Sequence, residues 1–188
     1  FLKDELKWVP FLGTGCWALD MPYMKRYNAA TLAKHPELKG KDIETTRNSC
    51  AKFVHTPTTI INFVEGSRCT AEKQRAKNSP FTHLLPPKAG GLAFTLAAMG
   101  GQLHRLLDVT IYYPEGIPTY WDYACGRVKR IRVHIRQLPI PPELIGDYSE
   151  DTEFRARFQQ WVNQLWAEKD ALLDTLIREE NASRDKIN

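Results

Sequence analysis

Apolar residues recur along this chain with two different periods. Phe154, Phe158, Trp161, Leu165, Leu172 and Leu176 fall on one side of a helix, and they predict a long amphipathic helix over about 150–180. Its single apolar stripe suits packing on a sheet better than lying on a membrane. Residues 127–138 alternate instead, with Ile131, Val133 and Ile135 on one face and Arg130, Arg132, His134 and Arg136 on the other. That is the pattern of a half-exposed strand with a basic outer face. Residues 58–64 carry an unbroken β-branched and aromatic run (Thr59, Ile60, Ile61, Phe63, Val64), which predicts a buried strand. Residues 106–113, closed by Pro114, predict a second core strand, and 92–99 a buried helix. Residues 42–54 predict another helix, capped by Asp42, with Ile43, Thr46, Cys50 and Phe53 on one face. The dense apolar stretch 1–19, broken by Pro10 and loosened by Gly13 and Gly15, reads as two short helical pieces around a bend. Its tryptophans suit either an ordinary core or a boundary between apolar and wet surroundings. Residues 20–26 form a short strand with a positive end, and 69–80, with Lys73, Arg75 and Lys77 but no apolar period, a mobile loop.

Mixed strands and helices in 188 residues, 43% of them hydrophobic, predict one α/β domain: a twisted mixed sheet flanked by helices. The formal charge of +4 favours anionic partners, among them phospholipid head groups, acidic cofactors and nucleic acid. Cys16, Cys50, Cys69 and Cys125 form no paired spacing, so neither a metal site nor a disulfide framework is expected, and reduced thiols fit best. No apolar run approaches the roughly 18 residues needed to span a bilayer, so the chain is expected to be soluble or peripheral. The sequon Asn181-Ala182-Ser183 lies in a polar tail, where chance explains it.

Candidate chemistry collects where the 58–64 run ends, at Glu65-Gly66-Ser67-Arg68. Ligands gather at the carboxyl ends of strands in open α/β sheets. There Gly66 lets the backbone come close, and Arg68 presents a fork for phosphate. A strand followed by a solvated turn accounts for the same four residues equally well. Lys25-Arg26 and Lys88 are further cations of the right type, and Gly90-Gly91 opens a helix whose first amides favour an anion. Gly90-Gly91 is neither a Walker nor a dinucleotide-binding fingerprint. The basic strand raises a rival, a nucleic-acid-binding module, but no aromatic residues interleave with its charges for base stacking. Anionic lipid is the more economical partner for that face.

The block 63–68, preceded by Tyr23-Met24-Lys25-Arg26 and followed by Val109-Thr110-Ile111-Tyr112-Tyr113-Pro114, resembles the glycerophospholipid acyltransferase family in order and spacing. Trp8-Val9-Pro10-Phe11-Leu12-Gly13, then Leu19-Asp20-Met21-Pro22, is similar to the bacterial inner-membrane branch of 1-acylglycerol-3-phosphate acyltransferases. The likeness runs from Phe1 to about Ile177. It implies that residues 1–188 are the C-terminal part of one acyltransferase domain. The implied reaction is acyl transfer from acyl-CoA or acyl-ACP to the free hydroxyl of 1-acylglycerol-3-phosphate, making phosphatidate without a bound cofactor or metal. It implies a phosphate site at Arg26, Glu65, Gly66, Ser67 and Arg68, with Lys25 and Lys88 as further contributors. The implied partners are a lysophospholipid, an acyl donor and an anionic membrane surface, with no nucleic acid. The parent protein would sit on the cytoplasmic face of a bacterial inner membrane.

The family's catalytic His-x4-Asp block is absent, so the resemblance places it upstream of Phe1, and the chain as given should be inactive. His35, His55, His83 and His134 have no aspartate five residues on. His104 has Asp108 four residues on, the wrong spacing in a different block, and reads as an ordinary polar histidine before a strand.

Overall fold

The computed structural model describes residues 2–3, 7–18, 23–24 and 58–185. The helix expected at 42–54, and Lys25 and Arg26, lie outside those residues. In chain order the described elements are β1 (Leu2–Lys3), α1 (Leu12–Ala18), β2 (Tyr23–Met24), α2 (Ala71–Ala76), α3 (Ala89–Met99), β3 (Arg105–Tyr112), α4 (Tyr120–Ala124), β4 (Arg132–Pro139) and α5 (Thr152–Asp185). Strands β1 and β2 pair in parallel through Leu2–Tyr23 and Lys3–Met24. Strands β3 and β4 form an antiparallel ladder running from Arg105 opposite Pro139 to Tyr112 opposite Arg132.

Helix α5 is the spine. Its 34 residues extend about 50 Å at the usual rise per residue. The carboxylate of Asp151 accepts the amide of Phe154 at 2.9 Å, capping the first turn. Phe154, Phe158, Val162, Leu165, Trp166, Leu173 and Leu176 make a buried stripe at helical spacing, as the sequence predicts. Small residues of α3, Ala89 and Ala93, let that helix approach, and Leu84, Leu96 and Leu144 complete the core. Gly146 is required here, because a Cβ on it would stand 2.7 Å from the ring of Phe154.

The two-stranded sheet lies on α5 with its polar side inward, the reverse of the expected orientation. Asp108 accepts from Arg136 at 2.9 Å and pairs with Lys169 of α5 at 2.5 Å. Lys169 also donates to the Val109 carbonyl at 2.8 Å and to Thr110 Oγ1 at 3.1 Å. The second fork of Arg136 holds Glu168, Arg132 holds Glu179 at 2.8 Å, and Arg130 holds Glu180 at 2.6 Å. The basic face is therefore neutralised by carboxylates of α5 and β3. Leu107, Val109, Ile111, Val133 and Ile135 on the other face are exposed. The alternation holds with the opposite face inward: period two says which residues share a face, and the facing helix decides which face is inward.

These ion pairs predict a pH dependence. Arg136 and Arg130 hold the carboxyls of Glu168 and Glu180 below the usual glutamate range. Groups with depressed folded values contribute stability above the ordinary glutamate value and lose it as pH falls through the folded value. The melting temperature should therefore drop on acidification through and below that range. A Glu168→Gln/Glu180→Gln variant should start lower at neutral pH and show a flatter acid limb.

Three other expectations change. Residues 58–64 are not a strand, and Ile61 and Phe63 are 74% and 79% exposed. Among the described residues the run has no strand to pair with, and β-propensity cannot substitute for a ladder. Residues 69–80 are not a featureless loop. Thr70 caps α2 through the Lys73 amide at 3.3 Å, and the Gln74 amide group donates to the Thr82 carbonyl at 2.9 Å. The α/β character holds in a reduced form, because among the described residues the sheets have two strands each and β3–β4 is covered on one face.

Candidate functional site

The Glu65-Gly66-Ser67-Arg68 segment is a turn pinned to the chain that leads into α3. The Gly66 amide donates to the Phe63 carbonyl at 2.9 Å, and Gly66 takes φ +67°, a conformation that costs other residues strain. The Lys88 amide donates to the Val64 carbonyl at 2.9 Å, and the Leu85 amide to Glu65 Oε2 at 3.1 Å. The Lys88 side chain lies against the turn, since a Cβ on Gly66 would be 3.5 Å from its Nζ. Behind the turn, Ser79 Oγ donates to the Leu84 carbonyl at 2.7 Å, and Asp170 of α5 receives the amides of Thr82 and His83 at 2.9 and 2.7 Å. The turn thus sits on a fixed platform reaching back to α5.

Glu65 faces that platform. Burial pushes its carboxyl above the usual range, opposed by the Leu85 hydrogen bond and by the charges of Lys169 and Lys77. A carboxyl with a raised folded value contributes stability below its unfolded value and loses it as pH rises through the folded value. Glu65→Gln should keep an acceptor for Leu85 and remove that loss, so its melting temperature should gain on the parent as pH rises through the mildly acidic range.

Arg68 is exposed, with its carbonyl held by Lys73 Nζ at 3.3 Å. Among the described residues its guanidinium has no acidic partner, and neither has the Lys88 ammonium, whereas Arg130, Arg132 and Arg136 are all paired. Arg68 and Glu65 border a groove of about 700 Å³. Its walls are Cys69 to Ala71, Gln74, Thr82 to Leu84, the end of β3 at Ile111 and Tyr112, Ile117 to Tyr120, Tyr123, and Leu173 and Ile177 of α5. One cation at the border of a largely apolar groove is an arrangement for an amphiphile: an anionic head beside Arg68 and a hydrocarbon tail against isoleucine, leucine and tyrosine.

The structure thus brings Glu65, Gly66 and Arg68 together with Lys88, and Ser67 is exposed on the same turn. His104 is exposed ahead of β3, and Asp108 is committed to Lys169 and Arg136, so the two form no catalytic pair. His83 Nε2 is 3.4 Å from Asp174 in the groove wall. That contact is long, and Arg178 holds the same carboxylate at 2.5 Å, which makes it a contact of the loop with α5. The resemblance places the strand closed by Pro114 beside an acyl pocket, and Ile111 and Tyr112 line the groove, whereas its wall at 117–123 is not assigned from the sequence. Its signal was the aromatic cluster Tyr112, Tyr113, Tyr120, Trp121 and Tyr123.

Known proteins resemble this chain at a distance. It is 28% identical to an uncharacterized acyltransferase of Schizosaccharomyces pombe, over 96% of this chain and 52% of that protein. It is 26% identical to the 2-acyl-1-lysophosphatidylinositol acyltransferase of Saccharomyces cerevisiae, over 92% and 52% of the two chains. It is 21% identical to the mouse 1-acyl-sn-glycerol-3-phosphate acyltransferase epsilon, over 92% and 48%. These curated relatives are eukaryotic proteins named as acyltransferases, and the chain spans about half their length. No protein-family profile matches the chain. No solved structure matches it significantly.

Proposed function

We propose that this chain is the acceptor-binding part of an O-acyltransferase that esterifies the free hydroxyl of a lysophospholipid, with 1-acylglycerol-3-phosphate as acceptor and acyl-CoA or acyl-ACP as donor. The observation that carries the reading is the Arg68 guanidinium, without an acidic partner among the described residues, on a fixed turn beside a largely apolar groove of about 700 Å³. Arg68, with Lys88 against Gly66 and Arg26 from outside the described residues, would hold the phosphate. Gly66 supplies the bend, and Glu65 keeps the turn on its platform. Holding the head group fixes the acceptor hydroxyl relative to the thioester, and orientation of that kind accounts for much of the rate of an acyl transfer. The proton must leave to a general base, the role that the His-x4-Asp block has in the family the sequence resembles. The bacterial inner-membrane setting rests on the resemblance of 8–13 and 19–26 alone, since the relatives named above are fungal and animal proteins.

A second acceptor class has specific support, because relatives are named for lysophosphatidylinositol and lysocardiolipin. The parent protein assayed for thiol release from acyl-CoA and acyl-ACP, against lysophosphatidate, lysophosphatidylinositol and lysocardiolipin, decides between them. Highest kcat/KM with lysophosphatidate is the expected result. A preference for another lysolipid reassigns the head group, and no transfer to any of them overturns the function. The present chain alone should release no thiol above background.

A further inference from the structure

Ile117, Tyr120, Trp121 and Tyr123 stand beyond the end of β3, exposed by 67%, 73%, 69% and 59%. Large apolar side chains gathered so closely are more than the scattered exposure usual on a surface. They are also held outward by a rigid support. Thr119 Oγ1 accepts the Asp122 amide at 3.2 Å, and Asp122 Oδ2 receives the Thr119 amide at 3.0 Å, a reciprocal cap on α4. Tyr120 and Trp121 meet edge to face at 5.8 Å between centroids. Two observations say what covers this patch. Ile117, Tyr120 and Tyr123 also line the groove that Arg68 borders, so the patch is continuous with the groove's rim. Six residues on in the chain from Tyr123, Lys129 is exposed and has no acidic partner among the described residues. Phenol and indole rings at the rim of a groove suited to an amphiphile, with an ammonium close along the chain, are the mixture favoured at the head-group level of an anionic bilayer. The outer face of β3–β4, by contrast, is aliphatic in the manner of a protein layer.

We propose that residues 116–125 seat in the interface of an anionic membrane, with the groove mouth toward the bilayer, so that a single-chain lipid slides from the membrane to Arg68 without its tail crossing water. The inference rests on the lysophospholipid reading of the groove, but membrane contact is read without turnover. The full chain is co-sedimented with vesicles of equal parts phosphatidylcholine and phosphatidylglycerol, beside Tyr120→Ser/Trp121→Ser, Trp121→Phe and a Trp8→Ser/Phe11→Ser comparison. The Tyr120/Trp121 pair should lower the partition coefficient roughly tenfold or more, from the lost apolar burial, with an unchanged circular dichroism spectrum. Trp121→Phe should retain most of the binding, and Lys129→Gln should weaken it chiefly at low salt.

Binding that survives the Tyr120/Trp121 change, or that depends only on Trp8 and Phe11, overturns the proposal. So does a dimer abolished by that change in a chain that ignores vesicles, which would put a second copy on the patch. Failure of vesicle binding while the parent still acylates lysophosphatidate removes the membrane seat and leaves the acyltransferase reading standing. Binding without any acyl transfer by the parent does the reverse.

Discussion

Replacing Asp108 with alanine should destabilise the protein by about 3–5 kcal/mol, the cost of leaving a buried charge without its partner. Lys169 is 8% exposed and Asp108 12%, and their atoms stand 2.5 Å apart between α5 and the sheet. The remaining partners of Lys169, the Val109 carbonyl and Thr110 Oγ1, are neutral and cannot balance an ammonium. Arg136 would keep Glu168, so the damage centres on Lys169. Removing both charges should be far milder. Asp108→Leu/Lys169→Met exchanges an ion pair for apolar packing, which is often neutral or better, so its cost should fall well below that of Asp108→Ala. Urea unfolding of the unchanged chain, Asp108→Leu, Lys169→Met and the double variant gives the cycle, with Asp108→Ala measured beside them. A cost for Asp108→Ala below about 1 kcal/mol would mean that water reaches the pair, as at an exposed salt bridge.

On the acyltransferase reading, Arg68→Ala should lower kcat/KM of the full-length protein roughly tenfold to a hundredfold, because a hydrogen-bonded charge contributes about 1.5–3 kcal/mol. The turn that carries Arg68 is fixed by Gly66, Glu65 and Lys88, so the backbone from which the guanidinium reaches does not have to be ordered on binding. Lysine should restore only part of the rate, since it keeps the charge and loses the planar fork that grips two phosphate oxygens. The control is Arg75→Ala. Arg75 stands exposed on α2, its side chain bonded among the described residues only to the Ala71 carbonyl of its own helix, and its loss should leave kcat/KM within about twofold. Arg132 is unsuitable as a control, because its pair with Glu179 ties β4 to α5 and its removal would alter stability. Near-normal kcat/KM for Arg68→Ala, in a protein that still folds, would make the turn a structural feature.

What the sequence revealed follows from which interactions are local. Helix α5 was legible because Phe154, Phe158, Leu165 and Leu176 share one stripe whatever they pack against. The alternation of β4 was equally legible, but its inward face was set by Glu168, Glu179 and Glu180, more than thirty residues away on α5. A clue lay in α5 itself, where Lys169 and Glu180 occupy buried positions that an apolar helix face would not tolerate unpaired. The run 58–64 misled because strand formation needs a partner, which composition does not reveal. At the site, Gly66 and Arg68 were visible as residue types suited to a phosphate turn. The sequence assigns Glu65, with Gly66, to shaping the turn, but the group it holds is not legible there, because its hydrogen bond goes to Leu85, twenty residues on. The groove was invisible for the same reason, since Leu173 and Ile177 reach it from the far end of the chain.

The most direct test of the acceptor site is equilibrium binding of lysophosphatidate and of the matching monoacylglycerol to the full chain and to its Arg68→Ala form. The two ligands share a tail and differ in the phosphate. Lysophosphatidate should bind the parent chain at least tenfold more tightly than monoacylglycerol, a gap of about 1.4 kcal/mol or more, and Arg68→Ala should close most of that gap while leaving monoacylglycerol binding unchanged. Equal binding of the two ligands by the parent chain, or a gap that persists without Arg68, would contradict the assignment.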